Sequence, residues 1–186
     1  MLTSCFRRRR PVRRACALWF LPLAALAWNG CNREAGSPSE GRGRVESTVR
    51  MGDPRMAPQL GKGFYGIEGG AWRWTNRQFS LTLLPPAGSA QTGAVLQFDL
   101  TVPGSVIQSI GNITLFASIG DRKFPAVTYS KPGSYKYKAD VPASLLAGET
   151  VQVDFELDKT MPAAPPERRD LGVVAGAIGL TAKAAQ

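Results

Sequence analysis

The chain has 186 residues and a formal net charge of +9, with 23 basic residues, 14 acidic residues and no histidine. Six of the arginines precede Cys31, so 17 basic residues face 14 acidic ones from Asn32 onward, a balance of about +3 that excludes a strongly basic nucleic-acid-binding surface. Without histidine, and without cysteine after Cys31, the chain has no Ser-His-Asp or Cys-His catalytic set and no His or Cys metal site.

Residues 1–30 have the pattern of a lipoprotein-type signal peptide. A basic run is followed by the apolar stretch "ACALWFLPLAALAW" at residues 15–28. Its 14 residues are too few to span a bilayer and suit a signal peptide. Gly30 before Cys31 resembles a bacterial lipobox, which predicts export, lipidation of Cys31 and attachment to a membrane of the bacterial cell envelope. Ordinary signal cleavage after Ala27 is the alternative.

Residues 31–62 predict a flexible tether. The segment is rich in glycine, proline, serine and charge, and it shows no apolar periodicity. Such a composition buries too little surface to offset the entropy of ordering the chain. A flexible chain of this length reaches roughly 30 Å, so a domain behind it would stand just off a membrane.

Residues 63–183 predict an all-β domain, followed by a short tail at 184–186. Apolar and polar residues alternate with a period of two in six segments: 72–75, 79–83, 96–102, 113–119, 135–141 and 151–159. Segments of this kind, bounded by proline and glycine, predict an antiparallel β-sandwich of jelly-roll or Ig-like type. Phe98 and Phe155 lie at the apolar positions of their alternating segments, so we expect both in the core. Residues 171–180 are apolar on both faces, which predicts a central strand or one that bends at its glycines.

Two rows of charge lie on neighbouring predicted strands. Lys136 and Lys138 alternate on one strand, and the acidic row Asp154, Glu156 and Asp158 alternates on the next. Carboxylates with this spacing reach the separation that a glycosidase needs, but a solvated ladder of cross-strand ion pairs explains them better. No catalytic residue, metal ligand or cofactor site is therefore predicted.

The segments "GFYGIE…WRWT", "LTLLPP", "YSKPGSYKYKADVPASLL", "VQVDFELDK" and "RDLGVVAGAIGL" carry a family resemblance. Together they resemble a small β-sandwich domain of bacterial envelope lipoproteins, similar to domains appended to some bacterial glycosyltransferases. The resemblance covers roughly residues 63–183. It implies a fold and a polysaccharide context, and its motifs are structural rather than catalytic.

The aromatic residues of the stretch "GFYGIEGGAWRWTN" divide into two groups. Trp72 and Trp74 share one face of an alternating strand, so we expect them to pack in the core or at its edge, with Arg73 and Thr75 on the other face. Tyr65 lies in a glycine-flanked turn, where its phenol is free to stack on a sugar or contact a protein.

Four residues are candidates for ligand contact: Tyr65, Glu68, Arg73 and Tyr129. The "RRD" segment at 168–170 is predicted to anchor a loop through salt bridges. The function expected from these features is a membrane-anchored, non-enzymatic binding module of the bacterial cell envelope that recognises polysaccharide. The alternative is a structural or assembly lipoprotein that binds a protein partner through a sheet edge or an aromatic patch.

Overall fold

The computed structural model describes residues 44–183. Within them the chain forms eleven strands, two α-helices and two 3₁₀ turns: β1 (Thr48–Arg50), a 3₁₀ turn (Pro54–Gln59), β2 (Phe64–Glu68), β3 (Trp72–Thr75), β4 (Gln78–Leu83), α1 (Ser89–Thr92), β5 (Ala94–Val102), α2 (Gly104–Ile110), β6 (Ile113–Ile119), β7 (Arg122–Lys123), β8 (Val127–Tyr129), β9 (Gly133–Val141), a 3₁₀ turn (Ala143–Leu145), β10 (Val151–Leu157) and β11 (Val174–Ala182). The predicted signal peptide, Cys31, the start of the predicted tether and the tail at 184–186 lie outside the described residues.

The strands form two antiparallel sheets, which confirms the predicted β-sandwich. Sheet 1 has the order β2-β3-β11-β5-β9, and β1 also pairs with β11. Sheet 2 has the order β4-β10-β6-β7, and β8 also pairs with β6. From β3 onward the chain crosses repeatedly from one sheet to the other. As a result, the strands β3-β11-β5-β9 of sheet 1 face the strands β4-β10-β6-β8 of sheet 2. This order is that of a jelly roll, which decides between the two sandwich types that the sequence left open.

Aromatic rings from both sheets meet in the core. Phe98 of β5 and Phe155 of β10 are almost completely buried, as their parity predicts, and their ring centres lie 5.2 Å apart. Phe79 of β4 stacks on Phe155 at 5.1 Å and contacts Phe98 edge-on at 5.9 Å. This three-ring cluster joins sheet 1 to sheet 2, so these side chains hold the two layers together.

Strand β11 is the central strand that its two apolar faces predict. It lies between β3 and β5, and most of its residues are buried or half-buried. Its pairing with β5 shifts between Ala175 and Ala177, which leaves Gly176 as an extra residue in a bulge. The predicted bend at a glycine is therefore present as well.

The predicted tether is wrong for residues 44–62, because these residues belong to the domain. Strand β1 pairs with β11, and the side chains of Val49 and Met51 are fully buried. Further along, the Gln59 side chain exchanges hydrogen bonds with the backbone of Glu46 and donates to the backbone carbonyl of Thr82. A segment of three strand residues has too little periodicity to be recognised locally, and its stability comes from a distant partner strand.

The predicted ladder between the lysine row and the acidic row is also wrong. β9 pairs with β5 in sheet 1, and β10 lies in sheet 2. The Nζ atom of Lys136 therefore lies 2.6 Å from a carboxylate oxygen of Asp99 on β5. Consecutive strands need not be paired in a jelly roll, because the connection between them crosses from one sheet to the other.

The helical segments are short connections. The 3₁₀ turn at Ala143–Leu145 lies in the connection between β9 and β10. Helix α2 follows Pro103, buries Val106 and was not predicted. Within residues 44–183 no helix combines the length and apolar character needed to cross a membrane.

Candidate functional site

The tryptophans of β3 lie on the outward face of sheet 1. Residues directly opposite each other on paired strands share a face of the sheet. Trp74 is opposite Val174, which is opposite Thr101 on β5. The neighbouring row runs from Arg73 through the buried Ala175 to the buried Leu100, so that row faces the core.

This register shows that the face of β3 predicted to point inward is its outward face. Thr75, expected on the solvent side, is fully buried, and its hydroxyl exchanges hydrogen bonds with the backbone of Val173. Trp72 and Trp74 are both half-buried. Trp74 still packs in part against the core, which agrees with the core-edge position expected for it. A tryptophan pair looks apolar in sequence, but the buried polar Thr75 shows that hydrophobicity alone does not decide which face of a short strand is buried.

The two indoles form a bent aromatic surface. Their ring centres are 6.2 Å apart and their planes meet at 82°, so the edge of one ring points at the face of the other. Gly69 lies beside the ring nitrogen of Trp72, and a Cβ atom built on this glycine would be 3.0 Å from that nitrogen. Gly69 also has φ = 58°, so the hairpin turn needs glycine both for its backbone and for the space beside the indole.

A β-bulge brings Tyr65 to the same surface. Between the pairs Phe64–Thr75 and Ile67–Arg73, strand β2 contributes both Tyr65 and Gly66 opposite the single residue Trp74. Tyr65 was expected in a turn, and the structure instead places it in this bulge. Bulges re-aim side chains at sheet edges, and here Tyr65 meets the loop before β11.

Arg169 ties the loop before β11 to Tyr65. Its guanidinium lies 5.1 Å from the centre of the tyrosine ring. Its nitrogens donate to Glu68 and Glu167, each at 2.7 Å, while the Tyr65 hydroxyl donates to the backbone carbonyl of Asp170 at 2.9 Å. The loop anchor predicted for the "RRD" segment is confirmed by these contacts.

The charges of this anchor perturb the groups around it. Hydrogen bonds from the side chain of Arg169 lower the pKa of Glu167 to about 2. The hydrogen bond to Glu167 raises the pKa of Arg169, and the hydrogen bond to Glu68 adds to this rise. Burial raises the pKa of the Tyr65 phenol, and the carboxylate of Asp170 adds to this effect. These shifts leave Glu167, Arg169 and Tyr65 with their ordinary charge near neutral pH, so the anchor is an ion-paired clamp and not a proton-transfer site.

Arg73 also lies in this region, but its hydrogen bonds go to the backbone. Its Nε donates to the carbonyl of Met51 at 3.0 Å, and a terminal nitrogen donates to the carbonyl of Tyr65 at 2.9 Å. Arg73 therefore joins the end of β1 to the bulge of β2. Its proposed contact with a ligand stays a prediction, and the structure assigns it a bracing role.

A polar groove continues from Trp72 across sheet 1. Asp99 and Lys136 form the 2.6 Å ion pair there, and the hydroxyls of Thr101 and Ser134 are 3.0 Å apart. The four polar side chains come from β5 and β9, at paired positions on the outward face. The sequence does not predict this group, because its expected partner for β9 was the next strand along the chain and not β5. The one indication in the sequence was their place on the polar side of an alternating strand.

Tyr129 does not join this surface. It lies on β8 in sheet 2, is 5% exposed, and its ring centre is 4.6 Å from that of Tyr135. Burial raises the pKa of its phenol to about 12, and its hydroxyl has no hydrogen-bond partner within residues 44–183. Of the four candidates, the structure thus brings together Tyr65, Glu68 and Arg73 and buries Tyr129 in the core.

The described part of the chain contains no group of three or more carboxylates that could hold a metal ion. The chemistry that the tryptophan surface and groove supply is stacking, hydrogen bonding and ion pairing.

No protein-family model and no curated protein matches this chain. Solved structures with a similar fold include the CBM36-1 domain of a multidomain xylanase from the hindgut metagenome of Trinervitermes trinervoides, with 9% identity, 74% of this chain, 98% of that domain and a TM-score of 0.39. A CBM4 structure matches with 11% identity, 73% of this chain, 85% of that chain and a TM-score of 0.37. TmCBM27, a carbohydrate-binding module described for specific mannan recognition, matches with 10% identity, 75% of this chain, 98% of that chain and a TM-score of 0.40.

Proposed function

We propose that this protein is a non-enzymatic polysaccharide-binding module. The observation that carries the proposal is the pair of partly exposed indoles, Trp72 and Trp74, on the outward face of sheet 1 beside a polar groove. A site built from aromatic faces and a few oriented polar groups suits a ligand with apolar ring faces and many hydroxyls. Sugars in a polysaccharide have this chemistry.

The groove supplies hydrogen-bonding groups of every kind that a sugar hydroxyl needs. The carboxylate of Asp99 accepts, the ammonium of Lys136 donates, and the hydroxyls of Thr101 and Ser134 do both. Asp99 and Lys136 neutralise each other, so the groove has no strong preference for a charged ligand. We therefore expect a neutral stretch of polysaccharide to lie across β5 and β9 with one sugar ring against Trp72.

The clamp around Arg169 has a supporting role in this proposal. It fixes the loop before β11 to Tyr65 and Glu68, and both of these residues belong to the strand next to the tryptophans. A prearranged aromatic surface binds more tightly because less conformational entropy is lost on binding. Tyr65 and Glu68 are thus expected at the margin of the ligand, as the sequence suggested.

The arrangement does not favour hydrolysis. Asp99 is the one carboxylate among the residues that line the groove, and it is paired with Lys136. Glycosidases of the common two-carboxylate type need a second carboxyl group across the scissile bond. Binding without cleavage is therefore the function proposed for this surface.

Membrane attachment is the second part of the proposal, and its support is the sequence. The basic run, the apolar stretch at 15–28 and Gly30 before Cys31 favour a lipidated N-terminus on a bacterial envelope protein. Stable anchoring requires more than one acyl chain. Intact-mass analysis of the purified protein tests this: an acylated Cys31 as the first residue is expected, and a free thiol behind an N-terminus at Trp28 would reject it.

The test of the binding function is a screen of the full chain against immobilised plant and bacterial polysaccharides. We expect retention on at least one neutral polysaccharide and at least a tenfold weaker interaction for Trp72→Ala. Leu84→Ala is the matched control, because Leu84 is an exposed apolar residue that does not line the groove. Equal retention of the wild type and the Trp72→Ala variant would reject this surface as the site.

A protein partner remains the alternative, and one observation favours it. Strand β9 ends sheet 1 and, within the described residues, pairs on one side only, with β5. An added strand could hydrogen-bond along such an edge. A partner bound there would be insensitive to Trp72→Ala.

A further inference from the structure

A second groove lies on the outward face of sheet 2, and it contains the most exposed large apolar side chain among the described residues. Phe116 of β6 is 44% exposed and lies directly opposite Glu156 of β10. Its neighbours Leu115 and Ala117 point into the core and are almost completely buried. Phe116 therefore presents much of its ring to solvent at the centre of a polar sheet face.

The pairing along β6 leaves an opening beside Phe116. Strand β8 pairs with residues 113–115, and β7 pairs with residues 118–119, so neither covers the position between them. The chain between β7 and β8 borders the groove there, and the backbone N–H of Phe124 donates to the carbonyl of Ala117. From the other side, Gln78 of β4, Arg77 just before it and Lys62 before β2 line the same groove.

The charged lining of this groove is balanced. Three basic and three acidic side chains contribute to it: Lys62, Arg77, Lys123, Asp154, Glu156 and Asp158. Asp158 accepts the backbone N–H of Thr114 at 2.7 Å and Asp154 accepts the side-chain amide of Gln152 at 3.0 Å, so each carboxylate keeps further acceptor capacity. Two of the basic groups have longer contacts, since Arg77 approaches Glu156 at 3.8 Å and Lys62 approaches the Gln78 side chain at 3.4 Å. Lys123 has no salt bridge within residues 44–183. Donors and acceptors are therefore available around a single exposed ring.

We propose that this groove is a second carbohydrate-binding site, with Phe116 as its stacking residue. Its balanced charge does not favour a polyanion or a polycation. A single apolar side chain surrounded by charges lacks the apolar centre that a protein interface usually has. A neutral sugar ring fits both conditions, because it needs one aromatic face and polar groups at its edge. This inference rests on the proposed function, and it adds a ligand site that sheet 1 does not contain.

Two sites on opposite faces would make the domain bivalent. The tryptophan groove lies on the outward face of sheet 1, and the Phe116 groove lies on the outward face of sheet 2, with the core between them. One glycan chain bound on each face would be bridged by one protein molecule. Binding to a dense polysaccharide would then exceed the affinity of either site, because the second contact forms at high effective concentration.

The experiment is a titration of the full chain with three neutral hexasaccharides, cellohexaose, xylohexaose and mannohexaose. Calorimetry gives the stoichiometry, and amide chemical shifts in NMR spectra show which face responds. The variants are Phe116→Ala, Trp72→Ala and the double variant. We expect two ligands per wild-type chain, one for each single variant, and at least a tenfold loss of affinity in the double variant. Phe116→Tyr keeps a stacking ring and should retain both sites.

Each result decides between the two claims. If each chain binds one ligand, and this binding is lost in Trp72→Ala and unchanged in Phe116→Ala, the second site is rejected and the proposed function stands. One ligand lost only in Phe116→Ala supports the second site and rejects the tryptophan surface. No binding of any of the three sugars overturns this inference, while the polysaccharide screen separately decides the proposed function. Phe116 is exposed, so its replacement should not unfold the domain, and circular dichroism of the variants checks this.

Discussion

The guanidinium of Arg169 lies over the ring of Tyr65, 5.1 Å from its centre, and the same guanidinium pairs with Glu68 and Glu167. One side chain thus joins the loop before β11 to the strand that flanks the tryptophans. The arginine fork suits this task because its planar donors reach two carboxylates while its face remains against an aromatic ring.

Replacing Arg169 should affect mobility more than stability. We expect Arg169→Ala to cost only about 1 kcal/mol of unfolding free energy, because partly exposed ion pairs and cation–π contacts contribute little. Amide hydrogen exchange in β2 should nevertheless accelerate, and polysaccharide binding should weaken several-fold. Arg169→Lys keeps the charge without the fork, so we expect an intermediate effect. Unchanged exchange in β2 would contradict the clamp.

Acid should open the same clamp. The pKa of Glu167 is about 2 in the folded chain, compared with 4.5 for an unperturbed glutamate. A carboxyl group whose pKa is lowered on folding stabilises the fold above its unfolded value, and this contribution is lost as the pH falls from about 4.5 towards 2. Thermal unfolding should therefore show a loss in this range that is smaller in Glu167→Gln. Identical pH profiles for the two proteins would show that Glu167 contributes nothing.

The aromatic cluster between the sheets should dominate stability. Phe98 and Phe155 are buried and contact each other and Phe79. Truncating Phe98 or Phe155 to alanine is expected to cost about 3 to 5 kcal/mol, because the close-packed cavity cannot collapse. Urea denaturation measures this, with Phe116→Ala as the matched exposed control. A cost below about 1 kcal/mol for Phe155→Ala would contradict its central position.

The first strand should be required for folding. A chain that begins at Gly52 lacks β1 and the buried side chains of Val49 and Met51. We expect it to lose about 3 to 6 kcal/mol relative to a chain that begins at Arg44, from the transfer free energy of two buried side chains. Denaturant titration of the two truncated proteins provides the comparison. Equal stability would restore the tether boundary at Lys62 that composition suggested.

Sequence alone determined which residues form the strands and which of their faces is apolar, for the longer strands. Strands β5, β6, β9 and β10 could be read directly, because alternation over seven or more residues reflects a backbone whose side chains point to opposite faces. The burial of Phe98 and Phe155 followed from that parity. The sequence also predicted the salt-bridged anchor at 168–170, because its arginines lie beside acidic residues.

Only the tertiary structure decided which strands are neighbours. Asp99 meets Lys136, and Tyr65 meets Arg169, because residues far apart in sequence share a sheet or border the same loop. The outward face of Trp72 and Trp74 depends likewise on the register of β3 against β11. An alternating pattern predicts that a strand has two different faces. Which strands pair, and which face is buried, is decided when two sheets pack together. That choice is a property of the whole core and not of any one segment.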